Sequence, residues 1–313
     1  MKRLLDLIPA GGDAMAKEVE RLFRRNADDH TPWRDAEEFL ETLDRALNGS
    51  EAEKAEARAW IAAREPNKFN PISEQQVLDL NLKARTYLLC ACHWFVHDGN
   101  VSGERWHPYV RWADQLTDLD TIASFNYDLV IERAAGTRIS PLTPKQPSLD
   151  QEGRARTKQP LFLKLHGSVN WRLGDKTFFH EIAEPIELLK QGYRPAIGIP
   201  GPFKLKLTTG ELQPSFEIVE NALKEATRVV FLGYRFPPTD NEAKRRLLTA
   251  IGANQRPEFE ITVVLGPDVG HEDVMRLRGL LKWARPRDSE SRIHVEPLWV
   301  QDFLGVVRVP FFT

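Results

Sequence analysis

Apolar residues recur every three or four positions along the first third of the chain, then come in short unbroken runs along the rest. The two textures predict two kinds of element. Residues 13–25 place Met15, Val19, Leu22 and Phe23 on one helical face, and residues 36–47 do the same with Phe39, Leu40, Leu43 and Leu47. Residues 51–64 are rich in alanine, glutamate and arginine, so propensity alone predicts a helix there. The longest helix is predicted from Ser73 to His97. Ser73 is a good N-cap with Gln76 three residues on, and Gly99, Asn100 and Gly103 supply the stop.

After Leu116 the runs fall at 121–125, 161–165, 196–199, 229–232, 261–265 and 293–295, each bounded by turn residues and several followed by a helical pattern. Short, mostly apolar strands, several separated by helices, predict buried strands in a largely parallel sheet. The expected fold class is α/β: a Rossmann-like, largely parallel sheet with flanking helices and an inserted helical module. One domain is expected over residues 1–313. Within it, residues 27–116 form the helical insert, either a cap over the site or a surface for a partner, and residues 117–313 carry the sheet. The polar stretch 138–159, with three prolines, reads as a surface excursion within the sheet-bearing part.

Composition narrows the class without naming it. The 313 residues are 42% hydrophobic and 28% charged, near the globular average. Lysine and arginine total 43 against 45 acidic residues, a net charge of -2, which gives no global attraction to nucleic acid or anionic lipid. The two cysteines, Cys90 and Cys92, are neighbours in one helical run. They point about 200° apart and read as small buried hydrophobes, not as a disulfide framework. No apolar stretch approaches the ~20 residues of a membrane span, and residues 1–9 lack the apolar core of a leader. A cytoplasmic protein is expected.

In an open parallel sheet, ligands bind beyond the carboxyl ends of the strands, so the residues that follow each strand are the candidates. The first strand leads into Ser124-Phe125-Asn126-Tyr127-Asp128 and the second into His166-Gly167-Ser168. Later strands lead into Gly233-Tyr234-Arg235, followed by Asp240, and into Gly266-Pro267-Asp268. Singly, each has a plain structural explanation: Asp128 and Asp240 as helix caps, His166 as a hydrogen-bonded core histidine, Gly167 and Gly233 as turn glycines. Together, an amide, a carboxylate and an imidazole at adjacent strand ends point to a ligand site. His93 and His97 have the i,i+4 spacing of a metal pair. However, Trp94 stands where a zinc hydrolase carries glutamate and no third ligand is evident, so packing is the better reading. Lys244-Arg245-Arg246 reads as a solvated helix face.

These strings resemble the sirtuin-like NAD-hydrolase family, especially its bacterial anti-phage defence branch. Ser124 to Asp128 is similar to that family's T-x-N-[YF]-D segment, and Leu163 to Ser168 to its K-l-H-G segment. Val229 to Asp240 is similar to its v-v-f-i-G-y-S-f-p-p-t-D segment. The resemblance implies an NAD+ hydrolase that cleaves the nicotinamide–ribose bond, with NAD as substrate and no metal. Asn126 would orient the ribose and a water, Asp128 would support that loop, and His166 would be the base. Ser124, Phe125, Gly167, Gly233, Tyr234, Asp240 and Gly266 would line the nucleotide. A histidine titrating near neutrality would suit the base's task. Three departures accompany it. The family's glycine-rich phosphate loop is absent, as if the chain began late; Gly266 stands in place of an asparagine; and Arg235 replaces a serine. Two cysteines cannot form the zinc site of the deacylating sirtuins. The alternative is a catalytically impaired relative that binds NAD, ADP-ribose-type nucleotides or a partner protein, with the helical module as contact surface or site of self-association.

Overall fold

The computed structural model describes residues 36–64, 71–97, 103–142, 158–173, 178–180, 194–199, 201–237, 240–285 and 292–306. The helix expected at 13–25, the stop residues Gly99 and Asn100, and most of the 138–159 excursion lie outside them. The chain divides into two compact units. The first comprises Met1–Asp98, Phe125–Leu129 and His166–Leu212; the second comprises Gly99–Ser124, Val130–Leu165 and Gln213–Thr313. The helical segment 104–113, expected within the inserted module, falls in the second unit.

In the first unit, α1 (Ala36–Asn48) packs on α2 (Glu51–Arg64) and α3 (Glu74–His97). Phe39, Leu40, Leu43 and Ala46 are buried along one face of α1, as the sequence period requires. The predicted Leu47 is only half-buried, and Ala46 takes its place. Serine caps begin both following helices. Ser50 accepts from the Glu53 amide and Ser73 from the Gln76 amide, while the Glu53 and Gln76 side chains accept from the two serine amides at 2.7 and 2.9 Å. Complete burial of side chains such as Leu43 and Val77 is worth about 1.5–3 kcal/mol each. The exposed Arg45–Glu56 pair is worth about 0.2–1 kcal/mol, so apolar contact holds these helices together.

A small antiparallel sheet completes this unit, with β4 (Gly167–Leu173) between β5 (Phe178–His180) and β6 (Arg194–Ile197). The run at 196–199 is therefore not a member of a parallel sheet: its partner is the strand that follows His166. Helix α6 (Pro202–Thr209) follows and packs on α1. Arg85 of α3 is buried, and its guanidinium donates to the Ile197 carbonyl at 2.7 Å and to Asn81 Oδ1 at 2.9 Å.

The second unit carries the parallel strands. Helix α4 (His107–Ala113) precedes β1 (Thr121–Ser124). Helix α5 (Val130–Ala135) precedes β2 (Ser140–Leu142), and β3 (Leu161–Lys164) pairs between β1 and β2, all parallel. Helix α7 (Gln213–Glu225) leads to β7 (Arg228–Leu232), α8 (Asn241–Ala253) to β8 (Glu260–Leu265), α9 (His271–Ala284) to β9 (Ile293–Pro297), and α10 (Val300–Val306) follows. β8 is central, parallel to β7 and β9, and five of its six residues are buried, which explains the unbroken apolar run. Trp112 of α4 packs against both core clusters, one containing Phe162 and the other Val264, Phe303 and Leu304. This is a Rossmann-like α/β fold with helices flanking parallel strands.

Candidate functional site

In the first unit the segment Phe125–Leu129 and the residue His166 come together. The Phe125 ring lies 4.7 Å from the His166 imidazole, centroid to centroid, and the Tyr127 ring 6.5 Å. The Val169 amide donates to the Tyr127 carbonyl at 3.0 Å, tying this segment to β4. Asn126, between the two rings in sequence, is exposed; Asp128 is half-buried.

Gly198 organises the opposite side. Its amide donates to the His166 carbonyl at 2.7 Å, and its own carbonyl accepts from the Tyr127 hydroxyl at 2.8 Å. Lys204 Cγ passes 3.6 Å from where a Gly198 Cβ would sit, so the lysine stem runs alongside this hub. Gly167 has φ +81°, and a Cβ there would meet the Ala196 carbonyl oxygen at 2.0 Å. Only glycine fits, and the reason is strand packing.

His166 is 4% exposed and Lys204 9%. Burial pushes the imidazole well below its ordinary range, the neighbouring Lys204 charge adds to that push, and a hydrogen bond to the Phe125 backbone opposes it. The ring is therefore neutral across the physiological range. This corrects the expectation of a histidine titrating near neutrality: desolvation beside a cation outweighs one hydrogen bond. A backbone bond that favours the protonated ring is one in which imidazole donates, so the other ring nitrogen is the acceptor.

The remaining predicted residues lie in the second unit. Ser124 is buried at the end of β1, and its carbonyl accepts from the Leu165 amide at 2.8 Å. Gly233, at φ +72°, has open space where a side chain would stand. Tyr234 stacks with Phe231 and meets Phe236 at a tilt, and Phe236 itself adopts φ +53°. A buried phenylalanine held left-handed marks a strained, tightly specified loop. Burial, then the Asp240 carboxylate, push the Tyr234 phenol up. Asp240 occupies the N-cap position of α8, yet its side chain makes no capping bond. Arg235 pairs with Asp273 at 3.8 Å and its carbonyl accepts from Arg276, so it turns to α9. The Trp299 indole fills the space a side chain at Gly266 would need, 3.1 Å from the Cβ position.

Lys204 is the residue that the strand ends singled out in the sequence did not include, and Tyr127, though within the first string, was given no role of its own. The exit of the 196–199 run leads straight to Lys204. His93, Cys90 and His97 lie on α3, but their side chains are outside the described residues. Among the described residues, no group of three His, Cys, Asp or Glu could hold a metal, and no helix is long and apolar enough to cross a membrane. An open groove of about 390 Å³ on the second unit is lined by Arg228, Glu260, Thr262, His294, Glu296, Leu298 and Phe303. It contains none of the predicted residues.

Fold and site thus define an α/β protein of the Rossmann-like class with a buried histidine after a parallel strand. Over residues 120–277, half of its length, the chain matches the family model of the SIR2-like domain, and it belongs to that family. Membership gives it a sirtuin-like, NAD-related character. No curated protein matches it.

Proposed function

We propose that this chain is a sirtuin-like NAD+ hydrolase that cleaves the nicotinamide–ribose bond, and that it acts as an effector of anti-phage defence. The observation that carries the reading is the packing of the Phe125–Leu129 segment against His166, within a SIR2-like domain. In the reaction the C1′–N bond breaks and its electron pair leaves with neutral nicotinamide. A water oxygen bonds to C1′, and its proton passes to the acceptor nitrogen of His166. Because nicotinamide leaves a cationic ring as a neutral molecule, the leaving group needs no acid. The site's task is to stabilise oxocarbenium character and deliver water. An imidazole kept neutral is always in the base form, and the exposed Asn126 amide is suited to orient the ribose and the water. Asp128 supports that segment. Gly233, Tyr234, Asp240 and Gly266 of the second unit are assigned to nucleotide binding on the resemblance of their segment.

Incubating purified protein with NAD+ and measuring free nicotinamide tests this. His166→Gln and Asn126→Ala should each lower the rate by about 10²–10⁴-fold; release unchanged in both variants overturns the assignment. NAD+ depletion in phage-infected cells carrying the wild type, but not His166→Gln, tests the defence role. A second reading is a module that binds an NAD-type nucleotide without turnover. It is favoured by one observation, the 4% exposure of His166. Calorimetric binding of ADP-ribose with no nicotinamide release would select it.

A further inference from the structure

Three features outside the roles assigned above are candidates: the groove across β7–β9, the half-exposed Trp299 over Gly266, and the buried Lys204. The groove is lined by groups of both charge signs, with nothing to say what would fill it, and Trp299 packs beside Gly266, a residue already assigned a role. Lys204 goes further.

We propose that Lys204 is a positioning residue of the candidate site, a buried cation set along the same Gly198 wall that holds His166. The inference rests on the reading of His166 as the base and deepens it. A lysine is seldom buried to this degree, and here the surroundings direct it. Its stem lies along Gly198, the residue whose amide binds the His166 carbonyl and whose carbonyl binds the Tyr127 hydroxyl. A side chain at 198 would meet the lysine stem at 3.6 Å and the His166 carbonyl at 3.4 Å. Histidine backbone and lysine stem thus lie on one wall.

The helical module fixes that wall. Asp44 of α1 is fully buried and occupies the space beside Gly201, where a Cβ would lie 2.5 Å from its Oδ2. Asn48 donates to the same carboxylate at 2.8 Å. Gly201 is at φ +127° and its carbonyl accepts from the Lys204 amide at 3.1 Å, so Asp44 sets the start of the helix that carries the lysine. Arg85 of α3 holds the Ile197 carbonyl, one residue before Gly198. The titratable and charged groups on the elements packed around this wall are Lys204 on α6, Tyr127 and Asp128 on the Phe125–Leu129 segment, Arg85 on α3 and Asp44 on α1. Of these, Lys204 is the one whose charge acts on the ring, in the same direction as burial. A cation beside an imidazole disfavours a second positive charge and leaves the ring's acceptor lone pair in place.

Lys204→Met retains the length of the stem and removes the charge; Lys204→Arg retains the charge and changes the shape. His166 protonation is followed by imidazole NMR, assigned against His166→Gln, and in parallel by the acid limb of nicotinamide release. In Lys204→Met the His166 midpoint should rise by about one pH unit, and the acid limb with it, while Lys204→Arg titrates as the wild type. Lys204→Gln replaces the methionine variant if that one does not fold. A midpoint unchanged on loss of the charge overturns the proposal, as does a histidine neutral in every variant down to acid unfolding. A midpoint shifted equally in the methionine and arginine variants also overturns it, because packing alone would then account for it. The NMR titration needs no turnover, so it stands or falls separately from the hydrolase reading.

Discussion

Two strand exits in this protein look alike in sequence and differ in physics. After β3 come His166 and Gly167; after β7 come Gly233 and Tyr234. Each pairs a left-handed glycine with a buried or half-buried titratable ring. At the first exit a Cβ on the glycine would strike a backbone carbonyl at 2.0 Å; at the second it would meet nothing within 4 Å. The rings are held neutral by opposite means. His166 sits near the Lys204 cation and Tyr234 near the Asp240 carboxylate. Each neighbour bears the sign the ring would acquire on ionising, so burial and charge act together in both places. A glycine and a ring at a strand end therefore describe a position, and the neighbours decide whether the glycine is obligatory and which way the ring is biased.

The largest expected effect separates the two glycines. Gly167→Ala should cost at least about 3 kcal/mol in denaturant unfolding, from the left-handed backbone together with overpacking against β6. Gly233→Ala should cost only about 1–2 kcal/mol, from backbone strain alone. Equal losses would erase the distinction. Next come the rings. The folded His166 resists the proton that the unfolded chain accepts, so stability is retained above the ordinary value of 6.5 and declines as pH falls below it. The thermal midpoint of wild type should therefore fall on acidification more steeply than that of His166→Gln. Tyr234 works at the other end. Its folded value is raised above the ordinary 10.0, so its stabilisation is present below that pH and is lost as pH rises past it. Asp240→Asn should let the phenol ionise about one pH unit earlier in an alkaline ultraviolet titration; an unmoved titration would leave burial as the whole cause. The smallest effect is Gly266→Ala. Its new Cβ would meet the half-exposed Trp299 at 3.1 Å, a side chain with room to shift, so the cost should be under about 1 kcal/mol with a change in indole fluorescence.

Much of the fold was legible in the residues. The runs at 121–125, 161–165, 229–232, 261–265 and 293–295 became parallel strands, short and largely apolar, with β3 and β8 buried and β1 and β7 mostly half-buried. The Ser73/Gln76 capping box formed as its spacing predicts, since those bonds are local. The run at 196–199 carries the same apolar signature yet pairs antiparallel with β4. An apolar run records burial and says nothing about the direction of a partner 30 residues away in the chain.

By itself, then, the chain determined most of the elements and the α/β class, because helix period, strand length, capping and turn residues act over a few positions. Tertiary structure alone decided that Asp44 and Arg85 of the helical module brace the segment around Gly198, and that Lys204 runs beside Gly198, where its charge reaches His166. It also decided that this histidine is neutral well below pH 7. Those outcomes depend on desolvation and on charges brought together by folding, quantities that exist only once distant segments have met.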